Sequence, residues 1–165
     1  MAVHKFEILG HTTRREWGVY VIVVTNKAGR KKFLYVGKVG DNRDGCNPII
    51  SRIGNHFSAN KVHSQLRNKL VTTKSSTTEN FNYTVFYSTF GSYNKETHLI
   101  DKNRINEIER QLNSILQSKL TKSKFELLNQ YKGIGASKKL KADRLKHLRS
   151  GDINAINKLA EQALE

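Results

Sequence analysis

The sequence predicts a protein of the mixed α/β (α+β) class, in which a small antiparallel three-stranded sheet is flanked by helices. Two segments, residues 17 to 24 and 31 to 37, are rich in valine, isoleucine and aromatic residues and flank a polar turn. This pattern is typical of an antiparallel hairpin. Residues 81 to 90 have the same composition and predict a third strand. Apolar residues spaced three and four apart in the second half predict amphipathic helices.

Length and composition indicate one domain with a helical extension. A chain of 165 residues is near the common size of a single domain. We expect a core over residues 1–135 and a basic C-terminal helical extension over residues 136–165. No run approaches the ~20 apolar residues of a membrane span, and the N-terminal segment lacks the apolar centre of a signal peptide, so we expect a cytoplasmic protein. The single cysteine, Cys46, excludes an internal disulfide and a cysteine-based zinc cluster.

The strong positive charge indicates a polyanionic partner. There are 29 lysines and arginines against 14 aspartates and glutamates, which gives a formal charge of +15. Cations that neutralise phosphates release counterions, so nucleic acid is the expected partner. A ribosomal position or an anionic membrane surface fits the same charge, but no helix combines a wide apolar face with aromatic anchors. The cations are spread from Arg14 to Lys158, which indicates a folded basic surface.

In the first half of the chain, the hairpin is preceded by an expected edge strand over residues 3 to 9. After the hairpin comes a polar loop, and Pro48 suits the first turn of a helix capped by Asn47. One side of that helix is apolar. Arg52 and His56 are expected together at the edge of this side, because they lie four residues apart.

The second half of the chain is expected to be mainly helical. Residues 62 to 70 predict a short helix, and residues 71 to 80, rich in threonine, serine and lysine, predict an exposed connector. Asp101 is the expected cap of the longest helix. A break is expected at residues 133 to 135. Two helices should follow it, a basic one over residues 137 to 149 and an amphipathic one over residues 153 to 164.

The longest helix carries two acids that helical geometry separates. At 100° per residue, Glu109 falls beside Ile105 and Leu112, whereas Glu107 points to the opposite side. We therefore expect Glu107 to face solvent. Glu109 should lie at the edge of the buried face, where a carboxylate is available to a site.

Five side chains are candidates for a catalytic site: Tyr20 and Tyr35 on adjacent strands, Arg52 and His56 one helical turn apart, and Glu109. Such a set suits metal-assisted phosphodiester hydrolysis. A carboxylate can hold a hydrated divalent cation, a guanidinium can grip a phosphate, and a tyrosine hydroxyl can orient or deprotonate an attacking water. Taken singly, each residue has a plainer interpretation as core, solvated helix face or salt-bridge partner. Their order and spacing together favour the site.

The tripeptides Gly18-Val19-Tyr20 and Tyr35-Val36-Gly37 resemble the paired tripeptides of the GIY-YIG nuclease family, with valine in place of isoleucine. In that family the tripeptides lie on adjacent strands. An arginine follows on the next helix with a histidine one turn later, and a glutamate lies on a later helix. Arg52, His56 and Glu109 match in that order, over most of the chain.

Two features depart from the family pattern. The loop of residues 40 to 48 is longer than expected for the family, and its Arg43 is a candidate DNA contact. The asparagine that often follows the glutamate helix has no clean counterpart. Asn113 and Asn129 are both candidates, and that role stays open.

The resemblance implies a small α/β sandwich that cleaves DNA with one bound Mg²⁺ or Mn²⁺ and needs no small-molecule cofactor. Glu109 would be the metal ligand and Arg52 the phosphate clamp. Tyr20 would activate or position the water. Tyr35 would line the same pocket, and His56 would assist proton transfer or phosphate binding.

Other basic residues are candidate nucleic-acid contacts. Lys38 directly follows the second tripeptide and could lower the pKa of a nearby tyrosine or touch phosphate, although an ordinary surface lysine is equally consistent with its position. The remaining candidates are Arg43, Lys138, Lys139, Arg144 and Arg149.

Two classes of function are consistent with these residues. The first is a compact restriction, phage or mobile-element endonuclease, because the length leaves no room for a large targeting domain. The second is a non-catalytic nucleic-acid-binding protein with the same fold. Loss of the acid or the arginine would favour the second, and both are present. The oligomeric state stays open.

Overall fold

The computed structural model describes residues 3, 5–26, 32–40, 46–60, 62–74, 76–120, 124–132 and 137–165. It is a mixed α+β fold with a four-stranded sheet among the described residues. The strands are β1 Glu16–Asn26, β2 Lys32–Val39, β3 Phe81–Ser92 and β4 Phe125–Leu127. The helices are α1 Ile49–Asn55, α2 Gln65–Lys74, α3 His98–Lys119, α4 Lys138–Leu145 and α5 Ser150–Leu164. Short 3-10 helices cover Gly10–Thr13 and Thr78–Asn80.

The sheet has the order β3-β1-β2-β4, with β1 antiparallel to both β2 and β3. The predicted hairpin and third strand are confirmed. The prediction of three antiparallel strands is wrong, because β4 adds a parallel fourth strand beside β2. This strand has only three residues, too few to show alternation in the sequence. The pairing continues past its end, where the Leu128 amide donates to the Leu34 carbonyl at 2.9 Å.

Strand β1 is the centre of the core. Its residues from Trp17 to Val24 are all buried, which means that both faces of the strand are covered. Both α3 and α5 contact β1, and the predicted apolar stripe of α3, including Ile105 and Leu112, is buried as expected. The catalytic candidates on β1 and β2 therefore lie on two paired, buried strands at the centre of the core.

The C-terminal helix α5 shares this core. Ile156 and Leu159 are buried against it, as the sequence predicted, and α5 contacts both α3 and β3. The helix begins at Ser150 and not at the expected residue 153, because Asp152 lies in its first turn and accepts a hydrogen bond from the Arg149 amide. Asp152 also forms a buried ion pair with Arg104 of α3, at 2.6 and 2.9 Å. The extension is thus attached to the core by both apolar and ionic contacts.

The N-terminal segment forms no strand among its described residues, so the expected edge strand over residues 3 to 9 is wrong. The neighbouring strand β1 is already paired on both sides, which leaves it no free edge. The segment instead leads to the 3-10 helix, with Phe6, Ile8 and Leu9 exposed.

Several helix boundaries differ from prediction by a few residues. Pro48 is the N-cap of α1 and not part of its first turn. Helix α2 extends to Lys74, so it takes up the start of the expected connector. Helix α3 begins at His98, and Asp101 lies within its first turn, where it accepts a hydrogen bond from the Thr97 hydroxyl. Residues 133–135, the expected break, lie outside the described residues. No described helix has the length and apolar character needed to cross a membrane.

Candidate active site

Tyr20 and Tyr35 lie on one face of the central hairpin. Tyr20 on β1 is directly opposite Gly37 on β2, two residues after Tyr35, and alternate residues of a strand share a face. A Cβ atom on Gly37 would lie 2.3 Å from Cζ and Oη of Tyr20. Glycine at this position therefore lets the Tyr20 ring cross the neighbouring strand.

Helix α1 brings Arg52 and His56 to the tyrosines. Arg52 forms a side-chain hydrogen bond with Tyr20, and Nε2 of His56 lies 2.6 Å from the Tyr20 hydroxyl. The His56 ring also packs edge-on against Tyr35, with 4.9 Å between ring centroids. The structure thus brings four of the five sequence-predicted residues together.

The hydrogen bonds of His56 determine which nitrogen carries its proton. The Leu66 amide donates to Nδ1 at 3.4 Å, so Nδ1 is an acceptor. A neutral imidazole has one N–H, which must then be on Nε2 and donate to the Tyr20 hydroxyl oxygen. That oxygen accepts from both Arg52 and His56. The proton of the Tyr20 hydroxyl is therefore free to point to a third partner.

Burial dominates the electrostatics of this cluster. Burial raises the pKa of Tyr20 above its ordinary value, although Arg52 acts to lower it. Burial likewise raises the pKa of Tyr35 to about 12. Burial, assisted by the charge of Arg52, lowers the pKa of His56 to about 4. The tyrosines are protonated and His56 is neutral at pH 7.

Glu109 approaches the cluster from α3 and is bound to Lys38 of β2. Lys38 Nζ lies 3.2 Å from the Glu109 carboxylate and donates to Asn106 Oδ1 at 2.6 Å. The Glu109 charge acts on both tyrosines, where it raises the pKa. Asn106 was missed in the sequence, although it lies three residues before Glu109 on the same helical face.

The expectation that Glu107 faces solvent is wrong. Its side chain is fully buried, in a helix that packs against α4 and α5 as well as against the sheet. The Glu107 carboxylate accepts hydrogen bonds from Arg110 Nε at 2.9 and 3.0 Å and from Gln111 at 2.9 Å. Glu107 is thus a buried structural acid. Glu109, with a side chain 28% exposed, is the acid that solvent reaches.

An open pocket of about 380 Å³ adjoins Glu109 and Lys38, between α3, the segment after β4, and α4. Both candidate asparagines line it, but their amides are committed to backbone. The Asn129 side chain bonds both backbone groups of Val36, at 2.7 and 3.0 Å. The Asn113 side chain donates to the Asn129 carbonyl and accepts from the Tyr131 amide, each at 2.9 Å. They shape the pocket wall.

The candidate nucleic-acid contacts are divided between this pocket and the surface. Lys38 and Arg144 line the pocket, together with Arg110, Tyr131 and Lys132, which sequence analysis did not single out. No spacing rule links these three positions, because they meet only after the chain folds. The other candidates with described positions are exposed: Lys138, Lys139 and Arg149. Arg43 lies outside the described residues.

The donors at this site fit a hard divalent cation held by one carboxylate. Mg²⁺ keeps several waters and is commonly bound by one or two carboxylates plus substrate phosphates. Glu109 offers a partly exposed carboxylate at the edge of an open pocket. Lys38 at present neutralises that carboxylate. Among the described residues, no group of three or more histidine, cysteine or acidic side chains converges, so Glu109 would act as a single protein ligand.

Comparison with family models, with curated proteins and with solved structures returned no match for this chain.

Proposed function

We propose that this protein is a divalent-metal-dependent DNA endonuclease that resembles the GIY-YIG nucleases. One observation carries the proposal: side chains from β1, β2 and α1 meet at the Tyr20 hydroxyl, which both Arg52 and His56 contact. Glu109 lies close enough for its charge to act on both tyrosines and on Arg52. A purely apolar core has no need of this convergence.

Arg52 would bind the scissile phosphate. Its guanidinium can donate two parallel hydrogen bonds to phosphate oxygens and stabilise the charge that develops on them. Arg52 is only partly buried, whereas Tyr20 and His56 are fully buried. A phosphate that draws Arg52 outward would therefore also uncover the Tyr20 hydroxyl.

Tyr20 would position the attacking water and, after its own hydroxyl proton has passed to solvent, would receive a proton from that water at Oη. The N–H donors from Arg52 and His56 stabilise the phenolate, the form that accepts a proton, while burial opposes it. His56 keeps its own proton on Nε2 in this arrangement and acts as a donor. As the water oxygen bonds to phosphorus, the bond to the leaving DNA oxygen breaks, and that oxygen takes up a proton from solvent.

Glu109 would hold the Mg²⁺ or Mn²⁺ ion, which supplies positive charge at the phosphate when it is bound. For this to occur, Lys38 must release the Glu109 carboxylate. Lys38 has a second partner in Asn106, so it keeps a hydrogen bond when it does so. A cytoplasmic restriction, phage or mobile-element role is the biological setting we propose for this activity.

The alternative is a nucleic-acid-binding protein without catalysis. Two observations favour it: the Tyr20 side chain is fully covered, and Lys38 occupies the carboxylate that would hold the metal. Both features must change before catalysis can occur.

Cleavage of supercoiled plasmid, with Mg²⁺ or with EDTA, separates the two proposals. We expect the wild type to cut only with Mg²⁺, and Glu109→Gln to bind DNA without cutting it. Arg52→Lys should be nearly as inactive as Arg52→Ala, because a lysine cannot reproduce the planar fork. Tyr20→Phe, which deletes only the hydroxyl, should also be severely slowed.

The matched control is Glu126→Gln. Glu126 lies on β4 and forms a surface ion pair with Lys74 of α2. This variant should cut like the wild type. DNA binding without any Mg²⁺-dependent cleavage by the wild type would establish the alternative.

A further inference from the structure

The pocket beside Glu109 has an excess of positive charge. Its lining includes Lys38, Arg110, Lys132 and Arg144 but only one acid, Glu109. Glu109 is paired with Lys38, and Arg110 is paired with Glu107 behind the wall. For the remaining two cations, Lys132 and Arg144, the pocket itself supplies no carboxylate.

Arg144 has an unusual position for an arginine. Its Nε atom is buried and has no hydrogen-bond partner among the described residues. Buried donors are nearly always paired, and a group that is not paired calls for an explanation. Because the Arg144 side chain lines the open pocket, an anion bound there would supply the partner that Nε lacks once a small movement of the side chain uncovers that atom.

We propose that this pocket is a phosphate-binding subsite that holds an internal phosphodiester of the DNA strand, next to the scissile phosphate. Arg144 and Lys132 contact the phosphate oxygens there. A planar guanidinium suits the geometry of such a group. The proposal rests on the proposed function for the identity of the strand, but phosphate binding itself is measured separately.

The position of the pocket explains why this phosphate lies near the reacting one. Lys38 and Glu109 both line the pocket, and the charge of Glu109 also acts on Tyr20, so the two sites are adjacent. A strand that places one phosphate at Arg52 therefore passes over Glu109 toward Arg144. The subsite would fix the register of the strand and would not take part in bond breaking.

The first experiment follows the Arg144 Nε–H signal by NMR while dimethyl phosphate, a diester, or inorganic phosphate is added. The signal is assigned by its loss in Arg144→Lys. We expect a saturable shift with the diester. A shift with inorganic phosphate alone would overturn the assignment to an internal phosphodiester, and no shift with either would overturn the subsite.

The second experiment measures binding of DNA duplexes that each carry one neutral methylphosphonate, scanned along the strand. In the wild type, we expect one position beyond the scissile phosphate to lose about tenfold in affinity, as for one charge-assisted contact. In Arg144→Gln, that position should no longer matter. Equal losses in both proteins at every position would exclude the contact.

Lys146→Gln is the matched control, because Lys146 is a highly exposed cation just after α4, with Asp143 nearby. It should keep the wild-type methylphosphonate profile. Thermal unfolding of each variant shows whether it is folded, and Arg144→Lys, which keeps the charge, serves if Arg144→Gln unfolds. None of these readouts needs cleavage, so a failure of the proposed catalysis leaves them interpretable.

Discussion

Burial of His56 makes the stability of the protein depend on pH within a defined window. Its pKa falls from 6.5 to about 4 on folding, so the unfolded chain binds the proton more tightly. Stability is therefore highest above pH 6.5 and decreases as the pH falls toward 4. We expect a loss of about 2 kcal/mol between pH 7 and about pH 5 from this residue.

Urea unfolding at both pH values tests this prediction. His56→Gln cannot titrate, and its stability should change less over the same interval. His63→Gln is the control, because His63 is exposed and its loss should leave the wild-type pH dependence. If His56→Gln and the wild type change equally, His56 is not the titrating group.

The two acids of α3, Glu107 and Glu109, should contribute differently to the stability of the protein. Glu107 is fully buried and is the partner of Arg110, so Glu107→Gln leaves that arginine without its counter-charge. We expect a cost of about 1–3 kcal/mol in the free energy of unfolding. Glu109→Gln should cost less, because Glu109 is partly exposed. Denaturant unfolding compares the two, and a greater loss from Glu109→Gln would contradict the assignment.

The site residues that follow from the sequence are those defined by local spacing. The tyrosines beside their glycines, and Arg52 one turn before His56, can be identified because strand and helix periods determine their faces. The environment of Glu107 cannot be identified in this way. It depends on helices that lie far along the chain and return to cover α3, and no periodicity within α3 predicts that.

At the scale of elements, α5 is held to α3 by one buried ion pair. Arg104 and Asp152 are each about 95% buried, with exposures of 5% and 4%. Burial acts to raise the pKa of Asp152, but hydrogen bonds from Arg104 and Arg149 lower it below its ordinary value. The stabilisation is therefore present above the ordinary carboxyl pKa and is lost as the pH falls below it.

We expect Asp152→Asn to lower the free energy of unfolding by about 3 kcal/mol, because it leaves Arg104 buried without a counter-charge. Asp143→Asn is the control. Among the described residues, Asp143 forms only long pairs at the surface, at 3.8 and 3.9 Å, and its replacement should cost well under about 1 kcal/mol. Thermal and denaturant unfolding provide the measurement. Equal stabilities of the two variants would show that α5 is held by its apolar face alone.

Strands and helices could be predicted from the sequence where their pattern of apolar residues was long. Strands β1, β2 and β3 and the apolar stripe of α3 each extend over two or more repeats of their period, and all were found. Strand β4 was missed because its three residues are defined by pairing with β2. The N-terminal strand was over-predicted because a short apolar pattern alone does not show whether the segment pairs with an edge of the sheet.

Across the whole molecule, positive charge is unevenly distributed. A large apolar groove between the N-terminal segment, α1 and β3 is lined by Glu7 and Glu79 but by no lysine or arginine among the described residues. A duplex needs cations to neutralise its phosphates. The groove is therefore not the DNA face, which we place where Arg52, the polar pocket and α4 lie.

The last prediction concerns this charged face. Lys138 and Lys139 are exposed in the first turn of α4, and each phosphate contact adds about 0.9 to the slope of log K against log salt. Lys138→Gln combined with Lys139→Gln should therefore reduce the slope by up to about 1.8.

Lys95→Gln combined with Lys158→Gln is the control, because these exposed cations lie near β3, at the other edge of the sheet. Both variants remove the same charge, so equal slopes in a binding titration across salt would show that total charge, and not the α4 face, determines affinity. Substitutions are preferred to a truncation after residue 135, because α5 buries Ile156 and Leu159 in the core and its loss would unfold the protein being measured.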